Sequence, residues 1–123
     1  MNDSAPVPAT IKLLKQSRQL NLVYEDQTEF TFSFEFLRVY SPSADVKGHG
    51  PGDAVLQVGK QDVDIREIEP VGNYAIKIHF DDGHDTGLYS WNYLYDLGMN
   101  MDMYWQDYLQ RLKEAGHPHP RHD

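Results

Sequence analysis

Apolar and polar residues alternate along the first third of the chain. Ile11 and Leu13, then Leu20, Leu22 and Tyr24, then Thr28, Phe30 and Phe32 recur at every second position. That is the period at which one face of a β-strand meets a core. The polar stretches 16–18 and 25–27 fall between these runs, so the pattern predicts an antiparallel meander. Ser33 is placed to cap a short helix in which Phe34, Leu37 and Arg38 share one turn. Residues 40–53 carry two Pro and three Gly, enough to interrupt any regular element. They are expected to form a loop.

A second set of signals follows. Residues 62–70 predict a strand whose alternation slips, because Val63 and Ile65 share a parity that Ile68 does not. A β-bulge would reconcile them. Gly72-Asn73 predicts a two-residue hairpin turn, and Tyr74, Ile76, Ile78 and Phe80 then mark the apolar face of the next strand. Asp81-Asp82-Gly83 ends that strand, and residues 86–89 can pair back against it. Ser90 is placed to cap a helix carrying Trp91, Leu94 and Leu97, with Gly98 at its left-handed end. Asn100 is expected to cap a longer helix whose apolar stripe is Met101, Trp105, Tyr108, Leu109 and Leu112. Asp102 near its start and Arg111 and Lys113 near its end complement the helix dipole, and Gly116 closes it.

The sum is an α+β fold: a mainly antiparallel β-sheet with short helices and a C-terminal helix. A polar lead over residues 1–9, one domain over 10–116 and a loose His-rich tail over 117–123 complete the expected organisation. At 123 residues and 40% apolar content, such a chain buries a core without covalent staples. A formal charge of −8 argues against nucleic acid and against anionic membrane surfaces, both of which need clustered Lys and Arg. With no apolar run long enough to span a bilayer and no secretory pattern in residues 1–10, a cytoplasmic protein is expected. The absence of cysteine excludes disulfides, thiolate nucleophiles and thiolate zinc sites.

Two motifs carry a family resemblance. Phe36-Leu37-Arg38 ahead of a Pro/Ser loop is one. The other is Val71-Gly72-x-Tyr74-Ala75 followed by Asp82-Gly83-His84-x-Thr86-Gly87-x-Tyr89-Ser90-Trp91. Together they resemble the gamma-butyrobetaine hydroxylase-like N-terminal domain family, from about residue 10 to about residue 97. That family includes stand-alone bacterial proteins of unknown function, modules of 2-oxoglutarate dioxygenases and modules appended to iron–sulfur-carrier ATPases. In the dioxygenases the module resembles a non-catalytic zinc domain with a Cys-x-Cys-x-x-Cys run and a later His. Carried over, the cysteine positions fall on Ser41, Ser43 and Val46, and the histidine on His84. Alcohols are poor zinc ligands and valine offers none. The resemblance therefore implies the fold and leaves zinc at His84 with three of its four ligands gone.

Other candidate chemistry is weighed against ordinary roles. Asp82-Gly83-His84 reads first as a turn fixed by His84; the sharper alternative is a binding surface of Arg38, Asp82, His84, Tyr89 and Trp91. Arg38 divides evenly between binding an anion and pairing with a carboxylate. His79-x-Asp81 has the spacing of a non-haem iron site, but its third ligand would have to come from the tail, and a solvated strand face explains it better. His49, with Asp45 and Asp53, could hold a labile cation, an unliganded loop being the ordinary case. His117, His119 and His122 could capture metal as a tract, a disordered tail being preferred. Eight tyrosines exceed what one core should hide, which nominates Tyr93, Tyr95 and Tyr104 for an interface. With no nucleophile–base pair and no cofactor loop apparent, the expected function is a non-catalytic binding or adaptor domain that meets a protein partner or itself. The alternatives are an accessory module of an oxidoreductase or of iron–sulfur maturation, and last a metal-dependent oxygenase-like enzyme. No catalytic residue and no cofactor are expected.

Overall fold

A computed structural model describes residues 5–47 and 55–120. Two three-stranded antiparallel sheets share one core. The first joins β1 (Thr10–Leu14), β2 (Gln19–Val23) and β3 (Glu29–Ser33) in chain order, with Leu20 opposite Phe32 and Leu22 opposite Phe30. The alternation puts Leu20, Leu22, Phe30 and Phe32 inside. The tight turns are made by Arg18 and Gln27 at positive φ, and the Asp26 carboxylate accepts the Thr28 amide to hold the second one.

The second sheet joins β4 (Ile65–Val71), β5 (Ala75–Phe80) and β6 (Leu88–Ser90). The register slips between Ile65 and Glu67, which is the bulge the sequence required. Val71 pairs with Ala75, so the intervening turn has three residues and not the expected two. Tyr74 is consequently lifted off the strand and exposed. Ile76, Ile78 and Phe80 face inward against Ile65 and the first sheet's aromatics.

Helices close the remaining sides. α1 (Phe34–Val39) begins at Ser33, whose hydroxyl accepts the Phe36 amide, and all six of its residues are buried. One short helical turn that the Pro/Gly content concealed, α2 (Ala44–Lys47), lies inside the expected loop. Ser90 caps α3 (Trp91–Met99) by accepting from Tyr93, and Leu94 and Leu97 enter the core. Gly98 is not the left-handed terminator but a residue within α3. A β-carbon there would collide with the Phe30 ring, so the glycine lets helix and strand approach.

Asn100 separates α3 from α4 (Met101–Glu114) without capping the latter; its side-chain amide turns back to Asp96. Tyr108 and Leu112 of α4 pack with Val39 as a small second core. Gly116 ends α4 as expected, at φ +83. Its amide bonds to the Lys113 carbonyl and that of His117 to Leu112, the paired pattern of a Schellman closure. Among the described residues no helix is long and apolar enough to cross a membrane.

Candidate functional site

Two of the carried-over positions, Ser41 and His84, meet, and Ser43 lies beside them against Thr86. α1 delivers the chain to Ser41-Pro42-Ser43, and the hairpin of β5 delivers Asp82-Gly83-His84 against it. In the serine loop, Ser41 Oγ accepts the Ser43 amide at 3.2 Å and Ser43 Oγ accepts the Asp45 amide at 3.2 Å. In the acidic turn, Asp82 Oδ1 accepts the His84 amide at 3.1 Å, and the Phe80 amide donates to the His84 carbonyl at 3.0 Å. Each loop is thus shaped by its own short-range bonds, as Asp, Ser and Gly at these spacings favour.

Between the loops, Ser41 Oγ lies 2.8 Å from His84 Nε2 and Ser43 Oγ lies 2.7 Å from Thr86 Oγ1. Gly87 completes the fit, since a methyl group there would run into Ser41 Oγ and Pro42. Arg38 forms the third tie. Its Nε donates to Asp82 Oδ2 at 2.9 Å and its Nη1 to Gln57 Oε1 at 3.0 Å. Lys60 donates to the same Asp82 oxygen at 2.7 Å. Arg38 is buried, so the even choice resolves to an ion pair.

The electrostatics follow from this arrangement. Burial pushes the Asp82 carboxyl up, but the Lys60 ammonium, the His84 amide and Arg38 outweigh it and bring it down to about 2. His84 is held below the ordinary imidazole value, first by burial and then by the Arg38 charge. It is therefore neutral at neutral pH.

A serine hydroxyl 2.8 Å from an imidazole is a nucleophile–base geometry that the sequence did not reveal. Its surroundings withhold that chemistry. Ser41 is 0% exposed, its oxygen already accepts an amide, and Gly87 covers it. An acyl group has no approach. The donor set equally fails zinc: one imidazole, two alcohols and the apolar side chain of Val46. Among the described residues no three His, Asp or Glu side chains gather as a metal site requires.

The other nominated residues disperse. Tyr89 is 0% exposed and donates to the Leu37 carbonyl at 2.6 Å; it supports the loops from behind and cannot belong to a surface. Trp91 sits at the opposite end of the hairpin, its indole donating to the Asn73 carbonyl. His79 meets Glu69 at 2.9 Å and Asp85 at 3.8 Å, while Asp81 accepts the Asp64 amide, so the iron-like spacing does not bring His79 and Asp81 to a common site. Tyr93 and Tyr104 are half-buried; Tyr93 donates to the Tyr40 carbonyl and Tyr104 to the exposed Asp96 carboxylate. Tyr95 packs edge-on against Tyr24 and Phe30. Backbone carbonyls, a neighbouring carboxylate and ring edges absorb these tyrosines, and of the eight only Tyr74 is exposed.

The tail is a further correction. His119 is 2% exposed. Its Nε2 lies 2.8 Å from Glu35 Oε2, which also accepts the Tyr108 hydroxyl at 2.6 Å. Its ring stands edge-on to Trp105 and Tyr108. His49, Asp53 and His122 lie outside the described residues. Gln57, Lys60 and Thr86 were not nominated; the Thr86-Gly87 step of the second motif was the available signal for the last.

Residues 11–95 match the family described as gamma-butyrobetaine hydroxylase-like, N-terminal. One protein known from an NMR solution structure is 47% identical over 94% of this chain and 90% of its own, with a TM-score of 0.80. A second, also from NMR, is 51% identical over 94% and 86%, with a TM-score of 0.79. A crystal structure of a protein of unknown function of the DUF971 family, from Acidithiobacillus ferrooxidans, is 36% identical over 74% and 91%, with a TM-score of 0.62. No curated protein matches the chain.

Proposed function

Since this chain belongs to the gamma-butyrobetaine hydroxylase-like N-terminal family, we propose that it is a non-catalytic protein-binding domain in which hydrogen bonds take the place of a zinc clasp. The supporting observation is the mutual satisfaction of the loop–hairpin contact. Ser41 bonds to His84, Ser43 to Thr86, and Arg38 and Lys60 to Asp82. Groups engaged in this way hold two loops together and leave little free to grip a substrate. What the domain does offer to solvent includes Tyr74, Met99 and Met103, residue types enriched at protein interfaces.

Metal analysis of tag-free protein tests the clasp. Zinc and iron are expected well below one equivalent, and a full equivalent of either retained through dialysis overturns the reading. Cross-linking in cell extract followed by mass spectrometry tests the binding role. A reproducible partner lost on substituting surface residues supports it; capture that is insensitive to every surface substitution counts against it.

A further inference from the structure

Three of the four methionines, Met99, Met101 and Met103, line one open groove where β3 meets the junction of α3 and α4. Its floor is Phe30 and Gly98, the pair that permits the close helix–strand approach. Met99 is 60% exposed and Met103 59%. Large apolar side chains so exposed and so close together are uncommon unless something covers them. A second depression continues the first through Met99 and Asn100 toward Tyr95 and Asp96.

The charge of this surface narrows the occupant. Glu29 and Asp102 line the first depression and Asp96 the second, while among the described residues no Lys or Arg lines either. Glu29 accepts from the Asn21 amide, and Asp96 from Tyr104 and Asn100. These donors are neutral, so they bring no cation to the carboxylates. None of the three carboxylates is in an ion pair among the described residues. A second copy of this chain, at −8, would bring like charge to like, and nucleic acid would be repelled.

We propose that the methionine groove docks a basic amphipathic helix of a partner protein, its apolar face on the methionines and its Lys or Arg on the three carboxylates. Unbranched thioethers adapt to varied apolar faces, and surrounding carboxylates select cationic ones. The proposal rests on reading the domain as a binding module and names the chemistry of its partner.

The probe is a synthetic Lys/Leu amphipathic peptide of roughly 18 residues, about five helical turns. It is titrated into protein carrying 13C-methyl methionine, beside a scrambled peptide of equal charge and an analogue with Glu for Lys. The expected result is movement of the Met99, Met101 and Met103 methyl signals by the Lys/Leu peptide alone. Binding should weaken as salt rises and fall about tenfold in Met99→Ser/Met103→Ser protein whose amide spectrum is otherwise retained. Unmoved methionine signals, or equal binding of the scrambled peptide, overturns the proposal. So does a dimer seen by light scattering and dissolved by Met103→Lys, which assigns the groove to a second copy. Any of these on metal-free, folded protein leaves the clasp reading standing, whereas stoichiometric retained zinc removes that reading and not the groove.

Discussion

Ser41 Oγ and His84 Nε2 stand 2.8 Å apart across 43 positions of sequence, joining the loop after α1 to the turn after β5. The bond matters because it works beside the Ser43–Thr86 contact and the Arg38–Asp82 ion pair to seat one loop on the other. Each is a short excursion from a regular element, and their shared contact sets where Arg38, Asp82 and Thr86 meet their partners.

The two titrating groups of this contact predict the acid response. His84 is depressed below its ordinary 6.5, so on acidification the unfolded chain takes up the proton first. Its stabilising contribution is full above about pH 6.5 and is lost as pH falls through the folded value. Asp82, lowered from 3.8 to about 2, contributes fully above about pH 4 and loses that contribution toward pH 2. Melting temperature followed from neutral pH to about 3 should therefore fall in two stages. In His84→Gln the upper stage should vanish and the lower remain; a profile identical to wild type would refute the assignment.

Breaking the buried Glu35–His119 pair should cost more than breaking a surface pair. His119→Ala leaves the buried Glu35 carboxyl with the Tyr108 hydroxyl as its one remaining side-chain bond among the described residues, and a loss of about 1–3 kcal/mol in urea unfolding is expected. Replacing both residues with leucine should recover a large part of that loss, because the underbonded polar group disappears with its partner. A loss under 1 kcal/mol in the single variant, about the value of a solvent-exposed ion pair, would mean that the tail is not seated.

Tyr24 makes the opposite prediction. Its hydroxyl is buried with no hydrogen-bond partner among the described residues, and burial raises its pKa to about 12. Tyr24→Phe removes an unsatisfied polar group while keeping the edge-on contacts with Phe30 and Tyr95. Stability should hold or rise by up to about 1–2 kcal/mol. A clear loss in thermal unfolding would point to a bond that the hydroxyl makes in solution.

Gly98→Ala tests the helix–strand approach beneath the methionine groove. The added methyl must displace the Phe30 ring or shift α3, and overpacking of this kind costs about 1–3 kcal/mol. Since alanine favours helix by nearly 1 kcal/mol over glycine, a simple propensity account predicts the opposite sign. Thermal denaturation decides between them.

Much of the scaffold was legible because its determinants are local. The Ser33 and Ser90 caps, the alternation in β1–β3 and the parity break that became the bulge at Ile65/Glu67 are each read within a few residues. Gly98 was legible as special but for the wrong cause, since its neighbour Phe30 is 68 positions away. The turn after Val71 gained a residue because pairing began at Ala75. Tyr89, expected on a binding surface, is buried, because nothing local distinguishes a buried hydrogen-bonding tyrosine from an exposed one; for Arg38 the ion pair is one of the two readings the sequence allows. The seat of His119 is invisible in sequence, as the residue belongs to no periodic segment and its partner lies in α1. The family motifs alone brought Ser41 and His84 together in advance, and only as positions.

The contact that spans 84 positions between Glu35 and His119 also fixes an order of events during biosynthesis. A nascent chain emerges amino end first, so the acid of α1 is in place long before its imidazole has been translated. Until then the Glu35 carboxyl lacks its imidazole partner, and Trp105 and Tyr108 lack the ring that stands edge-on to them. A polypeptide released short of position 119 would carry that flaw permanently, giving quality-control proteases a ready means of telling it from the finished molecule.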